Sequence, residues 1–196
     1  TRSFHVTGVQ TCALPISSGI NAASLTVGTM PQARFPSGHV IQVVNVKKTS
    51  VTSISSGSWT DVSGMSASIT PISTSNKILI LISTNYSGYA SSPALRLVRD
   101  STALDIGDAG GSTNRAWIGT HWSSGTTNLQ YFSAPVSITH LDSPSTTSSV
   151  TYKLQGCTFY NNPMTLNGAY NDVTGADQSY YMVRNVSTIT LMEIVG

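Results

Sequence analysis

The residues of this chain that could do acid–base or metal chemistry are few and scattered. Asp105 and Asp108 flank Gly107, which is the spacing of a two-carboxylate pair or of part of a calcium loop. No third acid follows at metal-loop spacing, so the two read as the solvated ends of a turn. Asp172 and Asp177, in NDVTGAD, carry the same two-acid content, with a calcium ion at that tip as the alternative to a plain turn. His39, His121 and His140 lie far apart, and no His-x-His pair places two imidazoles on one strand face, so a metal has no obvious donor set. Neither a Gly-x-Ser-x-Gly elbow nor a phosphate loop occurs. In so serine-rich a chain, Ser-His-Asp combinations mean nothing by their presence alone. The expectation is a protein without catalytic residues, metal or cofactor, one that binds.

The elements that would position a binding site are strands. Hydrophobic residues make up 39% of the 196, but charged residues only 9%, against about 25% in an average soluble domain. Serine and threonine fill the gap. Helices solvate their outer face with Lys, Glu and Arg, whereas Ser and Thr compete for the helical backbone and Thr suits a strand. Strand patterns recur from Ser37 onward: HVIQVVNV at His39–Val46, Trp59–Val62 and Met65–Ile69 as two strands across Ser-Gly turns, KILILISTNY at Lys77–Tyr86, and Leu95–Leu97–Arg99 leading through Asp100-Ser101-Thr102 into a hairpin. Further runs begin at Ala116, Leu129, Val150 and Met164. The last, VSTITLMEIV at Val186–Val195, alternates Ile189, Leu191, Glu193 and Val195 against Thr188, Thr190, Met192 and Ile194, lacks proline and is expected at the centre of a sheet. Ten to twelve short strands separated by turns predict an all-β antiparallel sandwich or barrel.

Charge and hydropathy exclude two classes of partner. The ten basic and eight acidic residues form no run, so no nucleic-acid footprint is expected. The longest apolar stretch, Ile78–Ile82, suits a buried strand and is far too short to insert in a membrane as a helix. Cys12 and Cys157 allow at most one bridge, and Cys157, with no Cys or His partner nearby, reads as a small buried hydrophobe in a strand.

The chain divides into three parts. Residues 1–16 resemble translated sequencing adapter: Val6–Ile16 reads VTGVQTCALPI, the first-frame translation of a common short-read adapter, so Cys12 and His5 carry no functional weight and a native N-terminus is expected upstream. Residues 17–36, SSGINAASLTVGTMPQARFP, form an extended linker by composition. This segment resembles the short repeats of phage tail-fibre shafts, in Ile20–Thr26, Gly28-Thr29, Pro31 and Ala33–Pro36. Three such segments wound together would bury Ile20, Leu25, Val27, Met30 and Phe35. Residues 37–196 are the head domain.

That head resembles a domain of fibre-like structural proteins of marine phages. The resemblance is carried by SGHVIQVVNVKKT (Ser37–Thr49), WTDVSGMSASITPISTSNKILI (Trp59–Ile80), LRLVRDSTALDIGDAGGS (Leu95–Ser112), HLDSPSTTSSVTYKLQ (His140–Gln155) and STITLMEIVG (Ser187–Gly196). It implies a jelly-roll β-sandwich similar to tumour-necrosis-factor and complement heads, a homotrimer, a virion location in a tail fibre, and a role in attaching to a host-surface glycan or protein receptor. A secreted adhesin or carbohydrate-binding module is the alternative, as is a capsid or baseplate decoration protein.

The stretches between these blocks hold Tyr86, Tyr89, Trp117, Trp122, Tyr160, Tyr170, Tyr180 and Tyr181 among Asn, Gly and Ser. Aromatic rings stack on the apolar faces of sugars, and Asn and Asp orient hydroxyls. Trp122, Tyr160, Tyr180 and Tyr89, with Asn161, are therefore the expected ligand-binding residues, unless the rings fill the core or the trimer axis. Trp59 and Trp117, inside strand patterns, are expected in the core.

Overall fold

The structure, a computed structural model, describes residues 35–121, 131–170 and 183–196. All lie in the unit Phe35–Gly196. Cys12, His5, Trp122, Asp172, Asp177, Tyr180 and Tyr181 fall outside the described residues, as does the shaft-like segment up to Arg34, and of Asn161 only the backbone is described.

Eleven strands are described: β1 (Val40–Lys48), β2 (Thr52–Ile54), β3 (Thr60–Ile69), β4 (Lys77–Gly88), β5 (Ser91–Arg99), β6 (Thr102–Leu104), β7 (Ile118–Gly119), β8 (Ala134–Asp142), β9 (Val150–Asn161), β10 (Met164–Leu166) and β11 (Ser187–Ile194). No α-helix occurs among the described residues. One sheet contains β1-β11-β4, with β8 on the far side of β4. β10 follows β11 along the same flank of β4 and hands on to β2. The other runs β3-β9-β5, with β6 and β7 sharing the remaining edge of β5.

The pairing is nested. If the short β2, β6 and β10 are set aside, the first strand pairs with the last (β1 with β11), the second with the next to last (β3 with β9), then β4 with β8 and β5 with β7, all antiparallel. One long hairpin rolled around a barrel axis generates that order, and it defines a jelly-roll sandwich. The expected central place of the last strand holds: β11 is flanked by β1 and β4.

Alternation explains which faces meet. Ile78, Ile80 and Ile82 of β4, Ile189 and Leu191 of β11, Val136 and Ile138 of β8 pack against Leu95 and Leu97 of β5, Tyr152 and Leu154 of β9, and Met65, Ala67 and Ile69 of β3. Fully burying each large aliphatic side chain is worth about 1.5–3 kcal/mol. Glu193 continues the inward face of β11 and is fully buried. Its Oε1 accepts hydrogen bonds from the Ile72 amide (2.7 Å) and the Asn76 side chain (2.6 Å), tying the 71–76 turn to the last strand, while Oε2 is buried with no hydrogen-bond partner among the described residues.

Two sequence expectations change. The segments around Trp59–Val62 and Met65–Ile69, read as two strands separated by a Ser-Gly turn, are a single strand. Gly64, at φ +79°, sits where the β3–β9 register shifts between Asp61 and Ser66, so the glycine makes a bulge and not a turn. Trp59 is also not in the core. It precedes β3, outside the alternating run, and is half-buried with its ring against Arg96 and Phe159. Trp117 is half-buried and packs against the core margin.

Candidate functional site

The outer face of the β3-β9-β5 sheet carries an ordered side-chain row. Arg96 donates from Nε and Nη2 to Gln155 Oε1 at 2.9 and 2.7 Å. Gln155 Nε2 donates to Asp61 Oδ1 at 2.6 Å, and Lys153 Nζ donates to Asp61 Oδ2 at 2.8 Å. These donors, Lys153 first, hold the Asp61 carboxyl below its ordinary range. The Arg96 guanidinium lies 4.3 Å from the Trp59 ring centroid, a cation–π contact, and Phe159 meets Trp59 edge-on at 5.9 Å.

Beyond Arg96 the same face hollows out. Ala94 pairs with Cys157 on one side and Gly119 on the other, so three small residues lie next to one another across β9, β5 and β7. A Cβ added at Gly119 would touch only the Ala94 Cβ at 3.6 Å and the Pro93 carbonyl at 3.7 Å, so the floor is open there. The result is a groove of about 660 Å³, within the range of small-ligand sites. Its floor includes Ser92, Ala94 and Gly119, Phe159 forms one wall, and the 107–117 segment with Trp117 forms the other.

That second wall is closed by its own backbone. The Gly107 amide donates to the Ala116 carbonyl (3.3 Å), Arg115 Nε donates to the Gly107 carbonyl, and the Thr113 amide donates to Gly110 (2.9 Å). Its C-terminal leg is pinned to β5 through the Trp117 amide to Leu95 and the Thr120 amide to Pro93, both at 3.0 Å. Asp108, Asn114 and Arg115 thus reach the groove from a pre-shaped loop. His121 stands at the rim, its Nδ1 2.9 Å from the Ser92 hydroxyl, leaving Nε2 as the other polar atom of its ring.

Cys157 beside this floor is buried and free, the place expected for it. Burial pushes its thiol up to about 12, with Arg96 pulling the other way. It is packing, not a nucleophile.

The expected site residues separate. Tyr160 is exposed and meets His121 edge-on at 6.0 Å, which places it at the groove's rim. Tyr89 belongs to a second cluster at the same end of the sandwich. Its ring lies 5.8 Å from Tyr170, and its carbonyl accepts from Asn162 Nδ2 at 2.9 Å. Asn161 pairs through its backbone with Ser91. Trp122 and Tyr180 lie outside the described residues. Sequence reasoning passed over Phe159, Asn114, Arg115 and His121 as site residues and read Asp108 as a turn. Phe159 was the readable one, since alternation from Lys153 and Gln155 puts it on the outer face.

Among the described residues, Asp105 does not pair with Asp108. It takes a left-handed backbone at φ +44° and hydrogen-bonds His140 Nδ1 across to β8.

No protein-family model matches the chain, and no curated protein matches it. A chain in a solved structure of the infectious bursal disease virus Gt strain is similar in fold over 87% of this chain, at 12% identity and a TM-score of 0.38. The match spans 42% of that viral chain, less than half its length.

Proposed function

We propose that this domain is the non-catalytic, homotrimeric receptor-binding head of a phage tail fibre, exposed on the virion and used for host attachment. The observation that supports it most is the outer face of the β1-β11-β4-β8 sheet. Val43, Met192, Leu79 and Leu141 are in register across the four strands, giving one apolar row from edge to edge. Val43 and Leu141 are 56% and 49% exposed, and Val40, 49% exposed, pairs with Ile194 one row away. A continuous apolar row on a sheet's solvent face is unusual for a monomer and suits self-association. At the start of the described chain the Gly38 amide donates to the Val195 carbonyl at 2.8 Å, which ties the entry to β1 to the end of β11.

The groove on the opposite sheet supports binding as the use of the head, and equally suits the second reading, a secreted carbohydrate-binding module or adhesin. Light scattering of a chain beginning at Ser17 separates the two. A mass of three chains is expected, and a clean monomer sinks the fibre reading.

A further inference from the structure

We infer that the groove between the 107–117 loop and the outer face of β5 and β9 is a binding site for a neutral glycan. The inference rests on the attachment reading and deepens it by naming the ligand class and the residues that would select it.

Three features point to a sugar. First, the groove combines aromatic and small surfaces: Phe159 and Trp117 line it above a floor of Ala94 and Gly119. A pyranose ring presents one face of C–H groups, and such a face packs on an aromatic ring or a flat apolar floor. Second, the polar groups at the margin are those that hydrogen-bond hydroxyls in both directions. Asp108 accepts, Asn114 and His121 both donate and accept, and Arg115 donates. Third, the loop that presents them is already closed through Gly107, Ala116 and Arg115, so little ordering opposes binding.

Charge selects the class of sugar. Asp108 and Arg115 are the acid and base of the lining and offset each other. Outside the lining, Asp61 is paired with Lys153, and Arg96 is turned onto Gln155 and the Trp59 ring and is not itself part of the groove wall. With one carboxylate and one guanidinium, the lining itself has no excess of either sign to select a charged ligand, and recognition falls to hydroxyl hydrogen bonds and ring packing. At about 660 Å³ the groove has room for a few sugar rings and not for a folded partner.

The test uses the full chain, with its mass followed by light scattering. Maltotriose, mannotriose and triacetylchitotriose serve as neutral probes and sialyllactose as the acidic one, with binding read by saturation-transfer NMR and titration calorimetry. At least one neutral probe is expected to bind, and sialyllactose roughly tenfold or more weaker. Asp108→Ala is expected to weaken the neutral probe roughly tenfold. Gly119→Leu fills the floor without a backbone clash and is expected to abolish binding. Both variants sit on exposed positions and should keep the wild-type thermal midpoint and mass. A chain that binds no neutral probe, prefers sialyllactose, or binds unchanged in both folded variants overturns the inference. A trimer with any of those outcomes sinks the groove and leaves the fibre reading standing. A monomer that binds through the groove does the reverse.

Discussion

Arg99, at the end of β5, donates from Nη1 to both carboxylate oxygens of Asp142, at the end of β8, at 2.9 and 2.7 Å. The two residues belong to opposite sheets, so this ion pair closes one end of the sandwich. Tyr152 of β9, fully buried, donates its hydroxyl to the same carboxylate at 2.6 Å. Burial first, and then Asp142, pushes that phenol above its ordinary value, while Asp142 in turn raises Arg99.

Removing Asp142 therefore strands two partners at once. Asp142→Ala is expected to cost roughly 2–4 kcal/mol, since a buried hydroxyl and a half-buried guanidinium both lose their acceptor. Urea denaturation measures it. A loss below about 1 kcal/mol, the worth of an exposed pair, would show that the closure contributes little.

A second prediction concerns packing beneath the groove's sheet. Glycine inside a strand ordinarily weakens it, by roughly 0.5–1 kcal/mol against alanine. At Gly156 the sign reverses. A Cβ there would lie 3.0 Å from Ile54 Cδ1 and 3.1 Å from Met164 Sδ, both in the core. Overpacking costs roughly 1–3 kcal/mol, toward the low end because the methionine can give way. Gly156→Ala is expected to lower the thermal midpoint, and a rise would mean that the core yields freely at this point.

The thiol of Cys157 sets a pH dependence. Its ordinary value is 9.0, and burial raises it to about 12 in the folded chain. The folded state then keeps a proton that the unfolded state releases. Stability from this group is intact below about pH 9 and falls as pH rises toward 12, by up to about 1.4 kcal/mol per unit. Lysines and tyrosines titrate in the same window, so the comparison is with Cys157→Ala. Denaturant midpoints measured between about pH 8 and pH 11 are expected to fall less steeply in the variant; equal slopes would place the thiol in contact with solvent.

How far the sequence anticipated these relationships depends on the distance over which each is set. The inward faces of β4 and β11 follow from alternation in Lys77–Tyr86 and Ser187–Ile194, because a strand's period is local. Even buried Glu193 was on the correct face of that pattern, although its partners, Ile72 and Asn76, are remote and could not be read. The Ser63-Gly64 pair was misread since a glycine in a bulge and a glycine in a turn look alike until the partner strand is known. The groove was largely invisible. Its floor arises where Ala94 and Gly119 fall into register, and its loop is shaped mostly by backbone bonds that leave no residue signature.

The apolar row on the outer face yields the sharpest test of assembly. Leu141 is 49% exposed and pairs with Leu79 on β4. In an isolated head, Leu141→Glu leaves the inner core untouched and should change stability by no more than about 0.5 kcal/mol, as for ordinary surface positions. At the centre of an interface between copies, the same carboxylate would be desolvated without a partner, at a cost of several kcal/mol per chain. The variant is therefore expected to sediment as a folded monomer where the wild type sediments as a trimer, with a far-ultraviolet spectrum unchanged. Met192→Glu, in the same row, should behave alike. If both variants remain trimeric at micromolar concentration, the copies meet through some other surface, and the row on β1, β11, β4 and β8 is not the interface.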